Sequence, residues 1–264
     1  MLSFFYANIY KMIKNYKKFN FLVATFLAIF LFSFSQSALA DSKGDFKTFN
    51  IDQSFDINNR NDVISVLKVV SSKAYFYVDQ RWFDKLNQND QDVILNNLEE
   101  LGKDFDNRIY PVLTSNYGTE WKAGIDNDER ITVFFHEMKE GLGGYFNDGD
   151  EYPKIQNPLS NEREMVYVAV ELLNYEIVKS GLAHEFTHLI TFNQKDRLKG
   201  IKEDVWLNEA RAEYAPSLLG YDNNYQTSVL KNRVSFFVNN PRDSLTEWQG
   251  EEKDYGIVNI FYNT

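Results

Sequence analysis

The chain has 264 residues, 44% of them hydrophobic and 25% charged, with a formal net charge of -10 and no cysteine. That is enough chain for one sizeable globular core. The acidic balance argues against a nucleic-acid or anionic-membrane partner, and the absence of cysteine excludes disulfides and a lipidated thiol.

Residues 1–40 read as a secretory signal peptide of bacterial type. Lys11, Lys14, Lys17 and Lys18 precede the apolar run Phe21 to Phe34, and Ala38-Leu39-Ala40 supplies the small residues of a cleavage site. The alternative is an uncleaved membrane anchor, although the run is shorter than the ~20 residues of a full span. Cleavage before Asp41 removes four lysines and no acid, which takes the net charge to -14. No later stretch is long and apolar enough for stable membrane insertion. The expectation is therefore a secreted, extracellular chain.

Residues 41–73 are polar and weakly patterned, with an Asn/Asp-rich run from Asp56 to Asp62 that reads as a loop or the end of a pro-segment. No regular structure is assigned there. Ala74 to Val78 is aromatic and β-branched, the composition of a strand. Asn89 or Asp90 caps a helix whose apolar positions Val93, Ile94, Leu98, Leu101, Phe105 and Ile109 recur at helical spacing, ending before Pro111. Gly124 to Arg130 is turn chemistry, and Ile131 to Phe135 a buried strand. The glycines of Gly141 to Phe146 permit close backbone approach. Met165 to Val170 is another strand. Helical spacing then runs from about Leu173 to Asn193, followed by a charged loop to Glu203 and a second helix from about Trp206 to Leu219 that Pro216 kinks or ends early. The sequence stops at Ile260 to Thr264 in what read as the first turns of a helix, so a short or truncated helical C-terminal lobe is expected. There are no internal repeats.

The segment GLAHEFTHLI, residues 181–190, holds two of the three histidines. Residues four apart on a helix share a face, so His184 and His188 can direct ring nitrogens at one ion. Glu185 lies about 100° round the helix, bordering such an ion without displacing a ligand. The competing reading is a chance pairing on an amphipathic helix. A catalytic zinc needs three protein ligands and one open position. Thr191 and Gln194 occupy the positions where a longer motif would place a glycine and a third histidine, which closes that route. Trp206 to Glu213 offers Glu209 as the third ligand after a loop long enough to fold back. Glu213, on the same face, is placed to accept a hydrogen bond from the non-metal nitrogen of a ligand histidine. The plainer reading is a solvated acidic face, and such an i,i+4 pair is mildly destabilising unless a cation neutralises it. His136 follows a strand directly and reads as structural, with a ligand role as the fallback. The acidic turns Asp126–Glu129 and Asn147–Glu151 are candidate structural calcium loops, but neither has regular ligand spacing, and solvated turns are the better reading.

His184-Glu185-Phe186-Thr187-His188 followed by Asn208-Glu209-Ala210 resembles the gluzincin pattern of thermolysin-type zinc peptidases, with Glu213 where those enzymes have an aspartate. More closely, the run from about Ala74 to Phe261 resembles the hyicolysin-like family of secreted bacterial neutral zinc metallopeptidases. The matching segments are Gly124 to Phe135, Gly144-Tyr145-Phe146, Asp150 to Pro153, Ser160 to Met165, the two-helix motif and Asp254-Tyr255-Gly256. The resemblance implies an α+β, zincin-type fold over residues 74–264, with a mixed sheet packed on the metal-binding helices. It implies Zn2+ on His184, His188 and Glu209, with Glu185 as general base and Asn208 and Glu213 supporting the ligands. Tyr255 either stabilises the oxyanion or packs at a helix start. Either Val133 to Phe135 or Gly143 to Phe146 forms the cleft rim that binds an extended peptide by strand addition, or both are plain core sheet. The implied activity is zinc-dependent cleavage of protein or peptide substrates. The alternative is a zinc-stabilised but inactive surface or binding module. Neither oligomeric state nor cleavage-site preference is specified by the sequence.

Overall fold

Tyr75, Phe76, Tyr77 and Val78 are consecutive and all buried, which a strand achieves only when both faces of its sheet are covered. The computed structural model describes residues 40–263, and the signal-like segment over 1–39 lies outside them. Six strands, β1 (Phe46–Asn50), β2 (Asp62–Val70), β3 (Ala74–Asp79), β4 (Ile131–His136), β5 (Gly144–Phe146) and β6 (Met165–Ala169), form one sheet in the order β1-β2-β3-β4-β6-β5. β3, β4 and β6 are parallel, while β1, β2 and β5 join antiparallel. The chain is a mixed α/β fold.

Alternation divides the sheet's side chains. Phe76, Val78, Val133, Phe135, Val166 and Val168 face one core, which is closed by α2 (Gln88–Asp104) and α4 (Ile177–Thr191) through residues such as Leu98, Leu101, Leu182 and Phe186. Tyr75, Tyr77, Phe134 and Tyr167 face the other, under Phe49, Ile51 and Tyr145. Phe49 packs edge-on to Tyr77 at 5.1 Å. The tyrosine hydroxyls on this side reach carboxylates instead of remaining unpaired: Tyr75 donates to Asp128, Tyr77 to Asp41 and Tyr167 to Asp150.

Several features differ from the sequence reading. Residues 46–50 and 62–70, left without regular structure, are β1 and β2, because Val63, Val66, Leu67 and Val69 supply a buried row between the polar ends of the segment. The long helix does not stop before Pro111. It begins after Asn87, whose side chain accepts from Asp90 N–H at 3.0 Å, and α2 widens into a π turn over Phe105–Ile109 before α3 (Tyr110–Tyr117). Proline is tolerated because the ladder is already interrupted there and Pro111 falls in the first turn of the next helix. Val93, read as a core position, is 48% exposed.

The connection from β1 to β2 is held by a buried charge cluster. Asp56 and Asp79 are fully buried, and Arg60 bridges them at 2.7 and 2.6 Å. His136 is also fully buried, with Nδ1 3.4 Å from Asp56. Burial lowers its pKa against the pull of Asp56, so it is a neutral member of this cluster. Short helix α1 (Gln80–Lys85) starts on the same carboxylate, Asp79 accepting from Trp82 N–H. Among the described residues no helix is long and apolar enough to cross a membrane.

Burial opposes ionisation of Asp56, but the hydrogen bonds and charge of Arg60 outweigh it and lower the pKa. The stabilisation is thus present above the ordinary carboxylate pKa of about 3.9 and is lost as pH falls through the lower, folded-state value. Arg60→Met leaves two buried carboxylates without their cation, and urea unfolding at pH 7 is expected to show a loss of about 3–5 kcal/mol.

Candidate metal centre

Helix α4 is apolar nearly all round, and Leu182, Ala183, Phe186, Leu189 and Ile190 are buried between the sheet and its neighbours. A helix of that composition belongs inside the protein. Of its polar residues, Glu185, His184 and His188 open onto a cleft of about 410 Å³. After the π turn Phe192–Arg197 and a short loop, α5 (Val205–Leu218) packs against α4 and brings Asn208, Glu209 and Glu213 to the histidines.

His184 Nε2 and His188 Nε2 lie 3.1 Å apart, and Glu209 Oε2 is 3.4 and 3.6 Å from them. Their outer nitrogens decide what these atoms are. His184 Nδ1 faces Glu213 Oε1 at 3.3 Å, and His188 Nδ1 faces Asn208 Oδ1 at 3.1 Å. Both oxygens are acceptors, so each Nδ1 carries a proton, and each imidazole in its neutral form presents the lone pair at Nε2. Two lone pairs and a carboxylate oxygen therefore converge with no donor among them, and Glu209 Oε2 is buried without a hydrogen-bond partner. A tetrahedral ion with bonds of about 2.0–2.1 Å would separate its ligands by about 3.3–3.4 Å. The three separations bracket that value.

Electrostatics point the same way. Burial disfavours charge on either imidazole, yet Glu209 and Glu213 raise His184 well above its ordinary pKa, and Glu209 raises His188. Burial likewise opposes ionisation of Glu209, but the two histidines hold it well below the usual carboxylate range. The pocket attracts positive charge. With neutral histidines, Glu185, Glu209 and Glu213 against Arg233 leave two negative charges, which a dication cancels. Among the described residues His184, His188 and Glu209 are the one group of this kind.

Glu185 is 6% exposed, and burial raises its pKa against the opposing influence of His184 and His188. Its side chain rests on β5: a Cβ added to Gly144 would fall 2.6 Å from Tyr167 O and 2.8 Å from Glu185 Cγ. The two candidate rim segments are now distinguished. β4 is central, paired on both sides, whereas β5 is the sheet edge beside the cleft. Tyr255, on α7 (Glu252–Asn263), lines the same cleft, its ring over Arg233 at 4.8 Å and edge-on to Trp248 at 4.9 Å. His136 is not part of the group.

Sequence reasoning missed the support behind Glu213. Arg233, on α6 (Val229–Asn239), donates twice to its carboxylate at 2.6 and 2.8 Å, and Asn259 on α7 donates to Glu213 Oε2 at 3.3 Å. Burial works against ionisation of Glu213, but Arg233 and His184 lower its pKa to about 2. The signal available was a lone arginine on a half-polar helix, which points nowhere until its carboxylate is located.

The chain is similar to a metalloprotease. One curated relative is the neutral metalloprotease ShpI of Staphylococcus hyicus, 30% identical over 172 residues, covering 57% of this chain and 36% of that protein. The chain thus spans little more than a third of the relative's length. No protein-family model matches. The His184, His188 and Glu209 group is the place in this chain where a metal ion would fit.

Gly144→Ala places a methyl group against a backbone carbonyl and Glu185 together. It is expected to cost about 1–3 kcal/mol in chemical denaturation, with the loss carried by displacement of β5 or Glu185.

Proposed function

We propose that the protein is a secreted zinc endopeptidase of the gluzincin type, with a zincin-like fold. The single observation that carries this reading is the convergence of three electron-pair donors, fixed in that state by acceptors behind both histidines. The set is two imidazoles and one carboxylate, the composition of catalytic zinc sites, which keep a fourth position open. The hydrolase likeness and the secretory character of residues 1–40 support it independently.

Zinc held by His184, His188 and Glu209 would supply Lewis acidity toward the scissile carbonyl and lower the pKa of water from 15.7 towards about 7. The remaining work belongs to the chain. Glu185, buried beside the ligands, takes a proton from the attacking water and delivers it to the leaving amine, acting first as base and then as acid. Asn208 and Glu213 fix the tautomers and ring orientations of the two histidines. Tyr255, in the cleft wall, donates its hydroxyl to the developing oxyanion. The unpaired edge of β5 receives the substrate backbone as an added strand, with Phe146 and Phe192 flanking the cleft.

Purified protein is expected to carry one zinc per chain by metal analysis and to digest casein, with digestion abolished by a chelator and restored by zinc. Glu185→Gln is expected to keep the zinc and lower kcat/KM by at least about 10²-fold. Full activity in that variant, or a metal-free protein that digests casein, would exclude the mechanism.

A further inference from the structure

Away from the histidines, the structure buries two carboxyl groups against each other. Glu151, closing the turn Asp148–Glu151, is 6% exposed, and Glu164, immediately before β6, is 3% exposed. The segments that carry them are joined by Arg163 N–H donating to Asp150 O at 3.1 Å, and each glutamate acts electrostatically on the other. Glu164 Oε1 accepts from Ile125 N–H at 2.8 Å. The other three oxygens, Glu164 Oε2 and both of Glu151, are buried without any hydrogen-bond partner.

No cation answers them. The described ion pairs include neither glutamate. Arg197, whose charge reaches Glu151, instead stacks on the Trp121 ring at 3.1 Å. Asp126 adds a further negative charge close enough to disfavour ionisation of Glu164. The backbone makes room for the carboxylate: Gly124 has φ +54, and a Cβ there would fall 1.5 Å from Glu164 Oε2.

We propose that Glu151 and Glu164 form a second cation site, for a hard divalent ion of the calcium class, joining the loop at Gly124–Asp126, the turn Asp148–Glu151 and the entry to β6. Unpaired anionic oxygens in a dry setting are costly, and a dication is the partner that satisfies several at once. The donors are all oxygen, which selects calcium or magnesium over zinc. Glu151 can offer both oxygens, as calcium's irregular shell accepts and magnesium's octahedron resists. This revises the solvated-turn reading of Asn147–Glu151, because Asp150 and Glu151 are buried.

The site adjoins the cleft without belonging to it. Asn147 and Asp148 line the cleft, and Tyr152 packs on Phe192 at 6.1 Å, which packs on Phe146 of β5 at 5.8 Å. An ion on Glu151 would fix this wall. The proposal does not depend on the zinc reading.

The competing occupant is a proton. Burial and mutual repulsion push Glu151 up to about 9, and burial with Asp126 pushes Glu164 up to about 7. Folded-state pKa values above the unfolded ones mean stability that is full below the ordinary carboxylate pKa of about 4.3 and is lost progressively as pH rises from there through the raised folded-state values. Calcium should replace the proton and restore that loss. The test is the Tm of the zinc-loaded protein, with and without calcium chloride, at pH 6 and pH 9, together with calorimetric titration of calcium alone. The expected result is a rise of about 5 °C at pH 9 with calcium about 100-fold above its Kd, and a smaller rise at pH 6. Glu151→Gln and Glu164→Gln remove a like charge, so both are expected to fold with an equal or higher calcium-free Tm and to lose the calcium response. A wild-type Tm that falls with pH but ignores calcium, or a calcium response that survives in both variants, would overturn the proposal.

Discussion

With both imidazoles neutral, as ion binding requires, His184 Nε2, His188 Nε2 and Glu209 Oε2 meet within hydrogen-bonding range and have no hydrogen to share. Left alone, such an arrangement repels itself, and much of the helical half of the molecule is organised to hold it. Asn208 and Glu213 hold the outer nitrogens, Arg233 and Asn259 hold Glu213, and the packing of α4 against the sheet fixes the helix that carries both imidazoles. Each layer removes a way for the donors to turn apart. The protein has thus placed rigidity where an ion would otherwise have to supply it.

The sheet contributes geometry more than chemistry. Its parallel centre is buried on both faces and leaves one edge, β5, against the helix that bears Glu185. The contact is close enough that only a glycine fits at residue 144. Scaffold and site therefore meet at a position with no side chain, and the general base we propose is seated by backbone. On the opposite face, tyrosine hydroxyls run out to carboxylates of the loops, so the second core is a mixed aromatic and polar layer.

Much of the site was legible because its parts are local. His184, Glu185 and His188 share one helical turn, and Glu209 and Glu213 share another, so helical periodicity alone aligned them. Asn208 came with the family resemblance. Arg233 and Asn259 were invisible because their partner is distant in sequence and a single charged residue has no periodicity. The pairing of Glu151 with Glu164 was hidden for the same reason: Glu151 read as part of an acidic turn and Glu164 only as part of a segment matching the family, and only the fold removes water from both. β1 and β2 were missed because polar residues flank their apolar rows, and the helix end was misplaced because a π turn absorbs Pro111.

β5 has only three residues and is followed at once by Asn147, Asp148 and the acidic turn to Glu151. A sheet edge left open for a peptide is equally open to a sister molecule, and long exposed edges invite fibrils. Here the ladder available to a second copy ends after a few hydrogen bonds, and two such copies would bring their exposed Asp148 carboxylates toward each other. A guest strand of other composition meets no such mirror-image repulsion, so the brevity and charge of this edge separate hospitality from self-aggregation.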